Sequence, residues 1–317
     1  MERLKKSNNT SNLVSTYMIV IIILALGVIF TLSTKVFLTQ KNLLNVLRQV
    51  SINGVLALGM TCVALTGGID LSVGSVVALS GIVTAGLLRD STLPLLVIIL
   101  IALAIGLACG GVNGYFVAYR NCPAFCTTLA MMTMARGLTF IYSNGRPIST
   151  LPDSFLVLGK GATLGIPNPF LFLLLLFILF WIILYKLKIG RYIYAVGGNK
   201  NAALVSGINV KFVTMFVYLL SGLACGLAAI ILTARVSSAM PAAGEGYELD
   251  AIAATVIGGT SLAGGRGRLW GTILGALLLG MVNNGMDLLN VSSYYQQIVK
   301  GVIILGAILL DSRRDRN

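Results

Sequence analysis

Histidine is absent from this 317-residue sequence, and charged residues make up only 10% of it. The first absence removes Ser-His-Asp and Cys-His catalytic arrangements and the common zinc sites. The second argues against a soluble globular domain, which needs roughly a quarter charged residues to cover its surface. No G-x-x-x-x-G-K-[ST] run occurs, so the chain has no loop of its own to cradle a nucleotide phosphate. The five cysteines (Cys62, Cys109, Cys122, Cys126 and Cys225) are odd in number and lie mostly in apolar stretches. They read as small buried hydrophobes. No cleavable leader is expected either. The first apolar run, 13–33, is too long for a signal-peptide core and lacks a small-residue cleavage site, so a retained first span is expected. Neither a metal site nor a cofactor is expected.

Hydrophobic residues, by contrast, reach 57%, with a mean hydropathy of +0.92. A helix crossing ~30 Å of hydrocarbon needs ~20 mostly apolar residues. Candidate spans fall near 13–33, 49–67, 71–88, 94–118, 123–143, 169–187, 212–234, 250–264, 269–288 and 295–311, the eighth short enough to be partial. The expected fold is therefore all-α, one polytopic membrane domain of about ten spans. The net charge of +13 sits in short loops between these runs. With the N-terminus placed inside, the inner loops hold about twice as many Lys and Arg as the outer ones, the bias that sets membrane orientation. Both termini are accordingly expected in the cytoplasm. The longest outer segments are then 144–168 and 235–249. The second carries Glu245 and Glu248 near Pro241 and ends beside Asp250. It suits either docking of an extracytoplasmic partner or an ordinary solvated connection.

Within the spans, GGIDLSVGS at 67–75 is the sharpest local signal. Two glycines break a helix, Asp70 is expensive near hydrocarbon, and Ser72 is placed to cap the helix that follows. A kink lining a translocation path and a capped interfacial turn both fit. GGTSLAGG at 258–265 repeats the G-G-x-x-L-x-x-G frame of 67–74. Paired Gly-interrupted spans point to a transport pathway, although close helix packing through small residues gives a similar pattern. Broken or re-entrant segments are expected near 67–72 and 258–265. Asn53, Asn283 and Asn284 offer donors and acceptors to a polyhydroxylated solute, or to neighbouring helices. Arg136 lies about 13 residues into its span, ~20 Å at 1.5 Å per residue. Asp250, Asp287 and Lys300 fall at similar outer depths, which suggests a buried charge network. Holding helices together and touching substrate are both open to it.

The polar stretch 188–211 lies between two candidate spans on the inner side. It holds Gly198, Asn199, then Asn201-Ala202-Ala203 and Gly207, with basic residues on both sides. A short helix-forming core in a basic inner loop is a docking surface for a soluble partner.

Together with VLALGMTCVALTGGIDLSVGS, YSNGRPIST, GRYIYAVGGNKNAALVSGINV, YELDAIAATVIGGTSLAGGRGR and VSSYYQQIVK, these residues carry a family resemblance. From about residue 36 onward the chain resembles the membrane permease subunits of bacterial ATP-binding-cassette sugar importers. The resemblance implies D-ribose as cargo among relatives that carry xylose, arabinose, galactose or autoinducer-type sugars. It also implies a homodimer in the bacterial inner membrane, a cytoplasmic cassette ATPase and a periplasmic sugar-binding protein. ATP hydrolysis would lie in that separate ATPase, so the chain itself is not expected to be an enzyme. Such importers dock their ATPase through an E-A-A-x-x-x-G loop. Here Asn201, Ala202, Ala203 and Gly207 fill the frame, with Asn201 where the family has an acid. The competing readings are an ion-coupled secondary transporter, a membrane-embedded enzyme and a membrane receptor or scaffold. The missing histidines and the lack of clustered mid-span carboxylates weigh against the enzyme.

Overall fold

Prolines punctuate the chain: four helices begin directly after Pro94, Pro123, Pro152 and Pro167. A fixed φ and a missing N–H suit the residue that leads into a helix rather than its interior. A computed structural model describes residues 19–316, side chains at 308 and 310–316 excepted. The start of the first expected span, the N-terminal basic residues and the C-terminal arginine side chains lie outside the described residues.

The chain enters as α1 (Ile19–Ser33) and α2 (Gln40–Leu65), followed by α3 (Val73–Asp90), α4 (Leu95–Tyr119) and α5 (Ala124–Ser143). A short helix α6 (Asp153–Lys160) and a two-residue antiparallel ladder, β1 (Ala162–Thr163) with β2 (Ile166–Pro167), lead into α7 (Asn168–Trp181). That helix closes with a π-helical turn, Ile182–Lys186. Two short helices, α8 (Lys188–Gly198) and α9 (Lys200–Val205), come next. The long α10 (Val210–Val236), the short α11 (Tyr247–Ile257), α12 (Leu269–Leu288) and α13 (Ser293–Arg316) complete the fold.

Among the described residues, seven helices are long and apolar enough to cross a bilayer: α2, α3, α4, α5, α7 with its closing turn, α10 and α12. Each matches an expected span. The remaining expected spans fall on α1, α11 and α13, so the count of ten is not reached by length and composition alone. Two boundaries moved. The second span begins at Gln40 rather than near 49, because Lys41 and Arg48 sit on helix and not in a loop. The eighth is helical only over its 11 residues Tyr247–Ile257. It stops where Gly259 turns to φ +85°.

Within the bundle, α2 is central. Of its most apolar stretch 83% is buried, against 28% in α4 and 22% in α5, whose outer faces are left for lipid or a partner. One close crossing is α4 on α10, where a Cβ at Gly110 would stand 3.1 Å from the Cα of Gly222. Small residues four apart let helix backbones approach where no water-driven force holds them. Between α10 and α11, residues 237–246 are not helical and turn through positive φ at Ser237, Gly244 and Gly246. This stretch, part of the expected outer loop 235–249, is partly tucked in. Ala239 pairs with Ile148 through two backbone hydrogen bonds, and Pro241 and Gly244 are buried.

Candidate transport and coupling elements

The α2–α3 link at 66–72 is built around Asp70, which is 2% exposed. Its Oδ1 accepts hydrogen bonds from the Ser72 amide (3.0 Å) and the Ser72 hydroxyl (2.6 Å). Its Oδ2 accepts from the Ser221 hydroxyl of α10 at 2.8 Å. Asn113 of α4 donates to the Ser72 oxygen at 2.9 Å, and the Tyr218 hydroxyl of α10 donates to the Ile69 carbonyl at 3.3 Å. A buried carboxylate is tolerated when its lone pairs are filled in this way. The expected cap is corrected here. Ser72 holds the N-cap position of α3 but makes no side-chain capping bond, because its hydroxyl is committed to Asp70. The partners Asn113, Ser221 and Tyr218 escaped sequence reasoning, since single polar residues in apolar helices carry no spacing signal.

The echo at 258–265 does not repeat the backbone of 67–74. In the first stretch Gly67 takes φ +75°, whereas in the second Gly258 stays helical at φ −63° and Gly259 turns positive. The two stretches do meet, a Cβ at Gly264 standing 2.9 Å from the Gly67 nitrogen. The Gly265 amide donates to the Leu65 carbonyl at 2.9 Å.

The three asparagines do not gather at one place. Asn284 of α12 exchanges a reciprocal pair of 2.9 Å hydrogen bonds with Asn42 of α2, clasping the two helices. Asn42 lies 23 residues from Leu65, or ~35 Å along the helix at 1.5 Å per residue. Asn283 is buried, and its side-chain oxygen has no partner among the described residues. Asn53 is 6% exposed within α2.

Of the four charges expected as one network, two pair with each other and two bond elsewhere. Lys300 of α13 pairs with Asp250 of α11 at 3.0 Å. Asp287 accepts from the Gln296 amide at 2.8 Å. Arg136 of α5 donates instead to two backbone carbonyls, Pro241 (2.6 Å) and Ala243 (2.9 Å), and so holds the non-helical stretch before α11. Positive-φ turns leave carbonyls without ladder partners, and a guanidinium with five donors fills them.

On the other side of α7, Asn199 caps α9 by accepting from the Ala202 amide at 2.9 Å. Gly207 closes the unit at φ +79°, a conformation that favours glycine. Asn201, Ala202 and Gly198 are exposed. Ala203 is not: at 4% exposure it packs into the core. The outward apolar pair is Leu204 (63%) and Val205 (90%), beyond the residues singled out from sequence. Of the cysteines, Cys62 and Cys225 are buried as expected, whereas Cys126 is exposed on α5.

A polytopic helical bundle with a short exposed helix in a basic loop fits a membrane transport subunit, and similarity decides the class. The family described as branched-chain amino acid transport system / permease component matches residues 42–308, and the chain belongs to it. Similar curated proteins include the ribose import permease protein RbsC of Escherichia coli (strain K12). It is 49% identical over 300 residues, covering 93% of each chain. The protein of the same name from Bacillus subtilis (strain 168) is 50% identical over 291 residues, covering 91% of this chain and 90% of that one. The D-allose transport system permease protein AlsC of Escherichia coli (strain K12) is 38% identical over 296 residues, covering 93% and 90%. No solved structure matches the chain.

Proposed function

We propose that this chain is the translocation subunit of an ATP-driven, binding-protein-dependent importer of D-ribose. The observation that carries the sugar is the near-full-length identity of 49% to a ribose import permease, against 38% to an allose permease. In this reading two copies form a homodimer in a bacterial inner membrane with both termini in the cytoplasm. A cassette ATPase docks on the 188–211 loops, through Gly198, Asn199, Asn201, Ala202, Gly207 and the exposed pair Leu204 and Val205. Ala203 acts from beneath, as packing. A sugar-loaded binding protein docks on the opposite face. ATP-driven closure of the ATPase then shifts α8 and α9, and the bundle switches which side the sugar path opens to. Asp70, Ser72, Asn53, Asn283 and Asn284 are the polar groups at hand for that path, with Asp70 and Asn284 bound to neighbouring helices in the arrangement described.

No bond in the sugar is made or broken, so the chain needs no catalytic residue. The experiment is labelled-ribose uptake into proteoliposomes holding this chain, its ATPase and its binding protein. Uptake that requires both ATP and binding protein, without an ion gradient, is the expected result. Uptake by this chain alone under a proton or sodium gradient overturns the proposal in favour of a secondary transporter. ATP-dependent uptake of a different sugar overturns ribose alone.

A further inference from the structure

Three stretches far apart in sequence converge at the inner end of α2: the C-terminal turn of α8, the 258–268 connection between α11 and α12, and Leu65 itself. Their contacts are backbone on backbone. The Leu65 carbonyl accepts from the Gly265 amide at 2.9 Å. Gly197 of α8 lies against the same carbonyl so closely that a Cβ there would collide with it, and would stand 2.5 Å from the Gly265 nitrogen. A Cβ at Gly264 would in turn be 2.9 Å from both the Gly197 oxygen and the Gly67 nitrogen. Side chains fasten the same junction. The Tyr194 hydroxyl of α8 donates to the Gly267 carbonyl at 3.0 Å, and the Leu269 amide, at the start of α12, donates to the Tyr185 hydroxyl at 3.4 Å.

Two consequences follow from this geometry. First, α8 is keyed to α2 and to the 258–268 connection with no compressible side chain between them. A displacement of α8 therefore has to be passed on, or the contacts have to break, because packed backbone does not deform gradually. Second, the two places it reaches are the ones where membrane helices are interrupted. The 66–72 link holds Asp70 and Ser72, and the 258–268 connection separates α11 from α12. Gly198 lies at the end of α8, and Asn199 caps α9 directly after it. The docking unit and the junction thus share one continuous backbone.

We propose that the Gly197–Leu65–Gly265 junction, fastened by Tyr194, is the element that passes motion of the α8–α9 unit to the two helix interruptions. Gly197, Gly265 and Tyr194 are positioning residues for transport, since none of them needs to touch sugar. This inference rests on the importer reading. Coupling between two sites requires contacts that differ between two states; the docking unit and the two helix interruptions are where those contacts change, and a junction that cannot absorb displacement links them.

The test measures ATP hydrolysis and labelled-ribose uptake in the same proteoliposomes, holding this chain, its ATPase and its binding protein. Gly197→Ala forces the junction apart. Tyr194→Phe removes one fastening hydrogen bond and adds no volume. Gly301→Ala in α13, where a Cβ meets nothing within 4 Å, is the control. Gly197→Ala is expected to retain the ATPase in pull-down and to hydrolyse ATP, while uptake per ATP falls about tenfold. Tyr194→Phe is expected to fall in the same direction by less, and the control to match the parent. Unchanged uptake per ATP in Gly197→Ala overturns the proposal. If that variant does not fold, Tyr194→Phe decides: an unchanged ratio overturns the junction and a lowered one supports it. The parent protein tests the importer reading separately, since a parent that transports without ATP defeats that reading whatever the variants do.

Discussion

At the scale of single residues, the carboxylate of Asp70 and the guanidinium of Arg136 do similar work in different places. Each satisfies polar groups of an interrupted segment, one at the α2–α3 link and one before α11. Removing one partner of a buried hydrogen bond costs about 1–3 kcal/mol, because the group left behind has lost water without gaining anything. Asp70→Ala should therefore lower the thermal unfolding midpoint in detergent, and Asp70→Asn should lower it less, since one amide oxygen can still accept from Ser72. Equal midpoints for the two variants would contradict the network. Arg136→Leu strands the Pro241 and Ala243 carbonyls, at about 1–3 kcal/mol for each one left dry. The expected outcome is a smaller yield of folded protein with ribose uptake per folded molecule near the parent value. A well-folded but inactive Arg136→Leu would place the arginine on the sugar path instead.

Helices and their connections were legible in the sequence to very different degrees. Long apolar runs such as Leu95–Tyr119 and Val210–Val236 declare themselves, because hydrocarbon accepts little else. The start of α2 was missed since Lys41 and Arg48 broke the run, although long basic side chains can lie along a helix end with their charge at the interface. The segment 235–249 was read as an outer loop because small residues, Pro241 and acids break its apolar run. Nothing in those residue types records that Arg136, about a hundred positions away, holds its carbonyls. The short helix α9 was found from its alanines, but which alanine faces out was not. With 3.6 residues per turn, neighbouring positions point in different directions, and Ala203 turned inward while Leu204 and Val205 turned outward. That placement separates two variants. Val205→Asp puts a charge on a 90% exposed position and should leave size-exclusion profile and yield intact while weakening ATPase capture. Ala203→Asp buries an unpaired charge, so it should cost several kcal/mol and deplete folded protein before docking can be assessed. Normal ATPase capture by a folded Val205→Asp would remove α9 from the docking surface.

For the molecule as a whole, the proposed orientation rests on electrostatics rather than on any contact within the bundle. The loops grouped with 188–211 carry about twice the Lys and Arg of the opposite set, and such an excess marks the cytoplasmic side. Geometry adds one constraint: α7 with its closing turn runs from Asn168 to Lys186, long and apolar enough to put its two ends on opposite faces. Leu164, at the tip of the β1–β2 turn before it, is 96% exposed, and Val205, in α9 after it, is 90% exposed. Single cysteines at these positions, Leu164→Cys and Val205→Cys in a background that lacks Cys109, Cys122 and Cys126 but keeps the buried Cys62 and Cys225, report the two faces without disturbing packed side chains. In intact spheroplasts a membrane-impermeant maleimide should label position 164 and spare 205. In inside-out vesicles the pattern should reverse. Labelling of 205 from outside would invert the molecule and detach the 188–211 loop from any cytoplasmic ATPase. Labelling of both from one side would mean that α7 does not cross, and the path of every later helix would have to be redrawn.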